Sequence, residues 1–204
     1  LKAEAKARGL WNLFHPHPEW GPGLSNADYA PLAEIMGRSP IASEACNCSA
    51  PDTGNMEVLT MFGTREQQDI WLRPLLAGEI RSAFAMTEPA VASSDATNIS
   101  LRIERDGDHY VLNGSKIYIT NGPVADVLLV YAKTDRDKGA HGISAFIIEK
   151  EMKGFKVAQK LRKMGYRGSQ TGELLFEDCR VPVENLVGGE NRGVAVVMSG
   201  LDLE

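Results

Sequence analysis

Two short segments of the chain carry side chains suited to holding a small ligand. The first, Met86-Thr87-Glu88-Pro89-Ala90-Val91-Ala92-Ser93-Ser94-Asp95, follows a strand-like run and is rich in small and hydroxylic residues. Small side chains let backbone amides come close to a ligand, while Thr87, Ser93 and Ser94 offer rotatable hydroxyls to a planar heterocycle or a phosphate. The second, Lys116-Ile117-Tyr118-Ile119-Thr120-Asn121-Gly122, sets an aromatic ring and a hydroxyl two residues apart, and alternation along a strand puts both on one face. A ring that stacks beside a hydroxyl that bonds an edge atom makes a workable wall for a flat ligand. The residues alone leave plainer readings open: a polar turn for the first segment, a core or surface tyrosine for the second.

These segments need a frame. The first 80 or so residues carry helix signals: a stretch from Leu1 to Phe14 before the His15-Pro16-His17-Pro18 turn, a capped run from Ser25 to Met36, a helix around Asn55 to Phe62, and a capping box from Thr64 to Gln67. The box opens a helix through Ile70, Trp71 and Leu72 that Pro74 is expected to end. From Arg81 the pattern changes to short β-like runs: 83–86, 99–105, 109–112, 116–120, 126–132, 143–149 and 172–178. Asp106-Gly107, Asn113-Gly114 and Asn121-Gly122 read as the turns between them. Such a series predicts a sandwich or small barrel. After Gly188-Gly189-Glu190-Asn191-Arg192-Gly193 the chain turns apolar with helical spacing. The expected class is α+β: an α-helical domain over 1–80, a β-barrel domain over 81–187, and the start of a C-terminal helical bundle over 188–204.

Composition narrows the function classes. With 204 residues, of which 43% are hydrophobic and 24% charged, the chain reads as globular. A net charge of −5 argues against a general nucleic-acid binder. No stretch approaches the roughly 20 apolar residues of a membrane span, and the polar start is unlike a signal peptide. Cys46, Cys48 and Cys179 form neither a disulfide framework nor a metal-ligand set, so an intracellular location and small packed thiols are expected, and no metal. The missing initiator methionine and the unfinished apolar run at the end make both ends read as truncations.

Three ordered motifs carry a resemblance that covers nearly the whole chain. They are Ala85-Met86-Thr87-Glu88-Pro89 with a downstream Ser-Asp, then Leu112-Asn113-Gly114-Ser115-Lys116-Ile117-Tyr118-Ile119-Thr120-Asn121-Gly122, and finally Lys163-Met164-Gly165-Tyr166-Arg167-Gly168-Ser169 with Phe176-Glu177-Asp178-Cys179-Arg180-Val181-Pro182. The chain resembles the acyl-CoA dehydrogenase family. Residues from about Gly107 onward are most similar to the isovaleryl-CoA dehydrogenase branch, and the first hundred to another branch that acts on unusual or long-chain substrates.

The resemblance implies an α-helical domain, a β-barrel and a C-terminal four-helix bundle, with FAD as cofactor. It assigns Phe84, Ala85, Met86, Thr87 and Ser93 to one flavin-contacting segment and Tyr118, Ile119 and Thr120 to the other. Tyr118 stands where the family more often has tryptophan, and the loop after Pro89 is one residue longer, with Ala92 where glycine is usual. Ser93, Ser94, Ala140, His141, Asp202 and Leu203 correspond to positions near the CoA thioester. Glu204, ending the run Leu201-Asp202-Leu203-Glu204, corresponds to the catalytic base of the isovaleryl branch, although on the residues alone it is an ordinary helix glutamate. A carboxylate suits α-proton abstraction while the β-hydride passes to flavin N5. The resemblance further implies electron-transfer flavoprotein as reoxidising partner and a homodimer or homotetramer. Two alternatives stand beside this reading: an acyl-CoA oxidase of the same fold, and a non-catalytic truncated module. Arg167 reads as an anion contact, a solvated loop residue or a domain-interface ion pair, and His15 and His17, with Pro16 between them, are not ligand-like.

Overall fold

The computed structural model describes residues 1–203, with the side chains of residues 93, 94 and 200–203 outside the description. Six helices come first: α1 Lys2–Ala7, α2 Asn26–Gly37, α3 Ala42–Ala45, α4 Asp52–Phe62, α5 Arg65–Gln67 and α6 Arg73–Ala77. Ser25 caps α2 by accepting from the Asp28 amide, and Thr64 and Gln67 form both reciprocal bonds of the expected capping box. Two expectations fail here. The first helix stops at Ala7, because Gly9 and Asn12 take left-handed conformations, and the Asn12 side chain is held by the Leu76 carbonyl and by Asn47. Pro74 does not end its helix. A π-helical turn, Gln68–Leu72, precedes it, and the wider turn makes room for a ring that would strike the carbonyl four residues back; the helix runs on to Gly78, which closes it at φ +70°.

Eight strands follow: β1 Ser82–Ala85, β2 Arg102–Asp106, β3 His109–Thr120, β4 Val127–Lys133, β5 Ile143–Glu149, β6 Phe155–Lys160, β7 Thr171–Pro182 and β8 Leu186–Val187, before the final helix α7 Gly193–Leu203. They form one mixed sheet in the order β6-β7-β3-β2-β4-β5-β8, and β1 pairs in parallel with β4. Strands from both ends of that order send residues into one core, which includes Ala83, Ile103, Leu112, Leu128, Phe146 and Phe176, so the sheet is rolled around it. The alternate residues of β4 and β5, among them Leu129, Tyr131 and Ile147, face outward into a second core shared with Met56, Leu59, Trp71 and Leu72 of the helices. Burial on both faces explains why β4 and β5 read as unbroken apolar runs.

Asn113-Gly114 is a bulge rather than a turn. β3 runs through it while β7 stays its partner on either side, Leu112 opposite Cys179 and Gly114 opposite Phe176. Gly114 has φ +132°, and a Cβ there would sit 2.6 Å from the Leu101 Cδ1 atom. Strands β6 and β8 and helix α3 are additional to the predicted elements. Side-chain bonds join the helices to the sheet: Gln67 donates to the carbonyls of Glu184 and Leu186, and Trp71 to Glu149. At the entry to β1, Arg81 makes a two-pronged pair with Glu44, and both the amide and the hydroxyl of Ser82 donate to Asp52. Burial pushes the Asp52 carboxyl up, against the pull of Ser82 and Arg81.

Candidate functional site

The two segments singled out by residue type lie side by side. The Ile117 amide donates to the Thr87 carbonyl at 2.9 Å, which joins the chain just past β1 to the second half of β3. Behind that bond lies a buried ion pair. Lys116, with no exposed surface, donates to the Met86 carbonyl at 2.8 Å and to Glu88 Oε1 at 2.9 Å. Glu88 in turn accepts from the Ser100 amide and hydroxyl, at 2.6 and 2.7 Å, and from the Leu101 amide at 2.9 Å. Burial disfavours the Glu88 carboxylate, but the Lys116 ammonium and the bonds from Lys116 and Ser100 outweigh it and hold its pKa down. One carboxylate thus anchors the start of the 89–99 loop, its end, and the neighbouring strand.

The side chains divide by role. Ala85 and Ile119 point into the barrel core, Met86 is buried in the core shared with the helices, and half-buried Phe84 lies against Tyr131 with ring centroids 5.3 Å apart. These four can meet a ligand only through backbone or the margins of their side chains. Thr87, Tyr118 and Thr120 differ: among the described residues none of their hydroxyls has a hydrogen-bond partner, and Tyr118 is 66% exposed. Tyr118 also sits at φ +61°, at the register shift between Lys116 and Ile119. A non-glycine residue there carries strain of about 1 kcal/mol or more, and such residues gather at functional sites. Tyr118 and Thr120 still share the outer face, since Ile119 between them is the buried one.

The other expected residues fall around this pair of segments. The 3-10 turn Ser93–Asn98 packs against the turn Gly139–Gly142, which holds Ala140 and exposed His141, so two of the expected substrate segments are neighbours. A hollow of about 490 Å³, lined by Glu88, Ser100, Arg102, Gly114 and Arg136, opens beside the same loop. The larger hollow, about 1110 Å³, lies elsewhere, between Met61, Ile70 and Trp71 on the helical side and Leu186 and Gly188 on the other, and none of the expected site residues lines it. Glu204 and the side chains of Ser93, Ser94, Asp202 and Leu203 lie outside the described residues. Lys116 and Glu88 are the buried pair between these segments that residue-type reasoning did not single out; the available signal was a lysine heading the ligand-wall segment and a glutamate inside the ligand loop. Among the described residues no helix is long and apolar enough to cross a membrane, and no group of three or more His, Cys, Asp or Glu could hold a metal ion.

Comparison with known proteins matches this geometry to a family. Residues 1–79 match the family model of the acyl-CoA dehydrogenase N-terminal domain, and residues 83–179 that of the acyl-CoA dehydrogenase middle domain. A probable acyl-CoA dehydrogenase of Mycobacterium tuberculosis is 47% identical over 98% of this chain and 50% of its own length. Mitochondrial isovaleryl-CoA dehydrogenase of Pongo abelii is 46% identical over 96% of the chain and 46% of its own length. The solved structure of a putative acyl-CoA dehydrogenase from Mycobacterium abscessus superposes with a TM-score of 0.94 at 43% identity, covering 99% of this chain and 51% of that one. The chain therefore spans about half the length of the relatives it matches.

Proposed function

The chain belongs to the acyl-CoA dehydrogenase family, and from that membership we propose that it forms the cofactor-holding part of an enzyme that removes two hydrogens across the Cα–Cβ bond of an acyl-CoA thioester. The observation that carries the reading is the row of hydroxyls without a partner among the described residues, Thr87, Tyr118 and Thr120, the tyrosine exposed and held at positive φ. A flat, hydrogen-bonding heterocycle such as the flavin of FAD fits that surface: the ring of Tyr118 would stack on it and the two threonines would hydrogen-bond its edge. FAD, when bound, supplies the acceptor for the β-hydride. Ser93, Ser94, Ala140 and His141 hold the CoA portion, Asp202 and Leu203 line the approach of the acyl group, and Glu204 takes the α-proton. Electron-transfer flavoprotein reoxidises the enzyme, which works as a homodimer or homotetramer.

The test is a visible spectrum of the full-length protein, followed by addition of a panel of acyl-CoA thioesters. A yellow protein bleached by one of them is expected, and a colourless protein that takes up no FAD sinks the reading. Glu204→Gln is expected to abolish bleaching while leaving the colour; retained bleaching removes Glu204 as the base. Hydrogen peroxide at full turnover with oxygen as sole acceptor would replace the dehydrogenase by an oxidase.

A further inference from the structure

A buried lysine–glutamate pair calls for a reason other than stability. Removing two charges from water offsets most of what their attraction returns, so a buried ion pair gives little net stabilisation over a packed apolar pair. Lys116 and Glu88 are 0% and 3% exposed at the side chain. What such a pair provides is direction, because each of its bonds has a fixed length and angle. Here every bond ends on the ligand-facing segments: Lys116 on the Met86 carbonyl, and Glu88 on the amides of Ser100 and Leu101 at the far end of the loop.

We infer that Lys116 and Glu88 are positioning residues for the cofactor and substrate edges: they set the spacing of the Met86–Thr87 edge from the Ile117–Thr120 edge and hold the 89–99 loop closed before any ligand arrives. This inference rests on the proposed flavin reading and adds to it two residues that touch neither ligand. Because Glu88 serves both the strand edge, through Lys116, and the loop that bears Ser93 and Ser94, the two ligand edges are coupled through one carboxylate.

The test uses the full-length protein with both charges removed, Lys116→Met/Glu88→Gln, in which the glutamine oxygen keeps an acceptor for one of the two edges that Glu88 holds, Ser100 or Leu101. FAD titrated into the flavin-free form, followed by quenching of its fluorescence, is expected to bind about 10- to 100-fold more weakly, the range over which outer-shell partners act at metal sites, while the flavin-free variant still melts cooperatively. Affinity within twofold of the parent's overturns the inference. Hydrogen exchange on the unsubstituted flavin-free protein decides independently of whether the variant folds. The Ile117, Ser100 and Leu101 amides are expected to be protected like those of β4, and exchange at exposed-loop rates, slowed only when FAD is added, overturns preorganisation. A parent that binds no FAD fails the flavin reading itself, a separate outcome from a parent that binds it as well as the variant does.

Discussion

Ile117 gives its amide hydrogen to the Thr87 carbonyl at 2.9 Å, and Thr87 keeps a hydroxyl with no partner among the described residues. This backbone bond and the buried Lys116–Glu88 pair join the two segments, so the side chains that face outward from them are free to differ without moving either. Tyr118 is the clearest case, exposed and held at positive φ.

Tyr118→Gly should therefore separate stability from binding. Glycine relieves the positive φ, so thermal unfolding is expected at the same temperature or a few degrees higher, whereas FAD affinity falls because the stacking face is gone. Tyr118→Trp is expected to keep or raise that affinity. Fluorescence titration and calorimetry measure both, and an unchanged affinity in the glycine variant would take Tyr118 out of the site.

His15 predicts an acid-sensitive helical domain. The residue is 1% exposed, and Nε2 lies 3.0 Å from the Thr60 hydroxyl, whose own hydrogen goes to the Met56 carbonyl. Nε2 must then donate, and Nδ1 accepts from the His17 amide, which fixes a neutral tautomer. Burial, with a smaller push from His17, lowers its pKa from 6.5 to about 4. Between these values the unfolded chain binds the extra proton, so stability falls as pH drops through that window, by about 3 kcal/mol in all. Urea unfolding at pH 7, 5.5 and 4 should show this loss in the parent and a much smaller one in His15→Gln.

Two glycines at nearly the same φ isolate strain from collision. Gly107, at φ +65°, has nothing within 4 Å of where a Cβ would stand, whereas at Gly78, φ +70°, a Cβ would lie 2.7 Å from Trp11 Cζ2. Gly107→Ala is expected to lose about 1 kcal/mol to backbone strain alone. Gly78→Ala should lose at least about 1 kcal/mol more, since the Trp11 indole is tied to the Leu76 carbonyl at 2.7 Å. Equal losses in denaturant unfolding would contradict the packing at Trp11.

Asp52 links the helical block to the start of β1. Asp52→Ala strands the Ser82 amide and hydroxyl, both buried, and is expected to destabilise by about 2 to 3 kcal/mol. Asp52→Asn, whose Oδ1 can still accept both of these bonds, should lose less. Calorimetric melting of the two variants checks the order.

What was legible in the sequence was whatever a few neighbouring residues decide among themselves. Ser25 and Thr64 cap their helices because their bonds reach only three residues ahead. The 143–149 strand coincides with its predicted range, its apolar run matching a strand buried on both faces. The three motifs of the resemblance are likewise local strings, and the family match bears them out.

Tertiary structure decided the rest. Asn113-Gly114 has the composition of a hairpin turn, but β7 pairs across it, and only the partner strand makes it a bulge. Pro74 ends a helix by local rules, and the π turn before it carries the helix through. Lys116 and Glu88, ordinary surface residues by type, become buried partners only once β3 lies against the chain that follows β1. Each of these depends on which distant segment arrives, and the free energy that selects the arrival is the burial of two cores against both faces of β4 and β5, a property of no single stretch of residues.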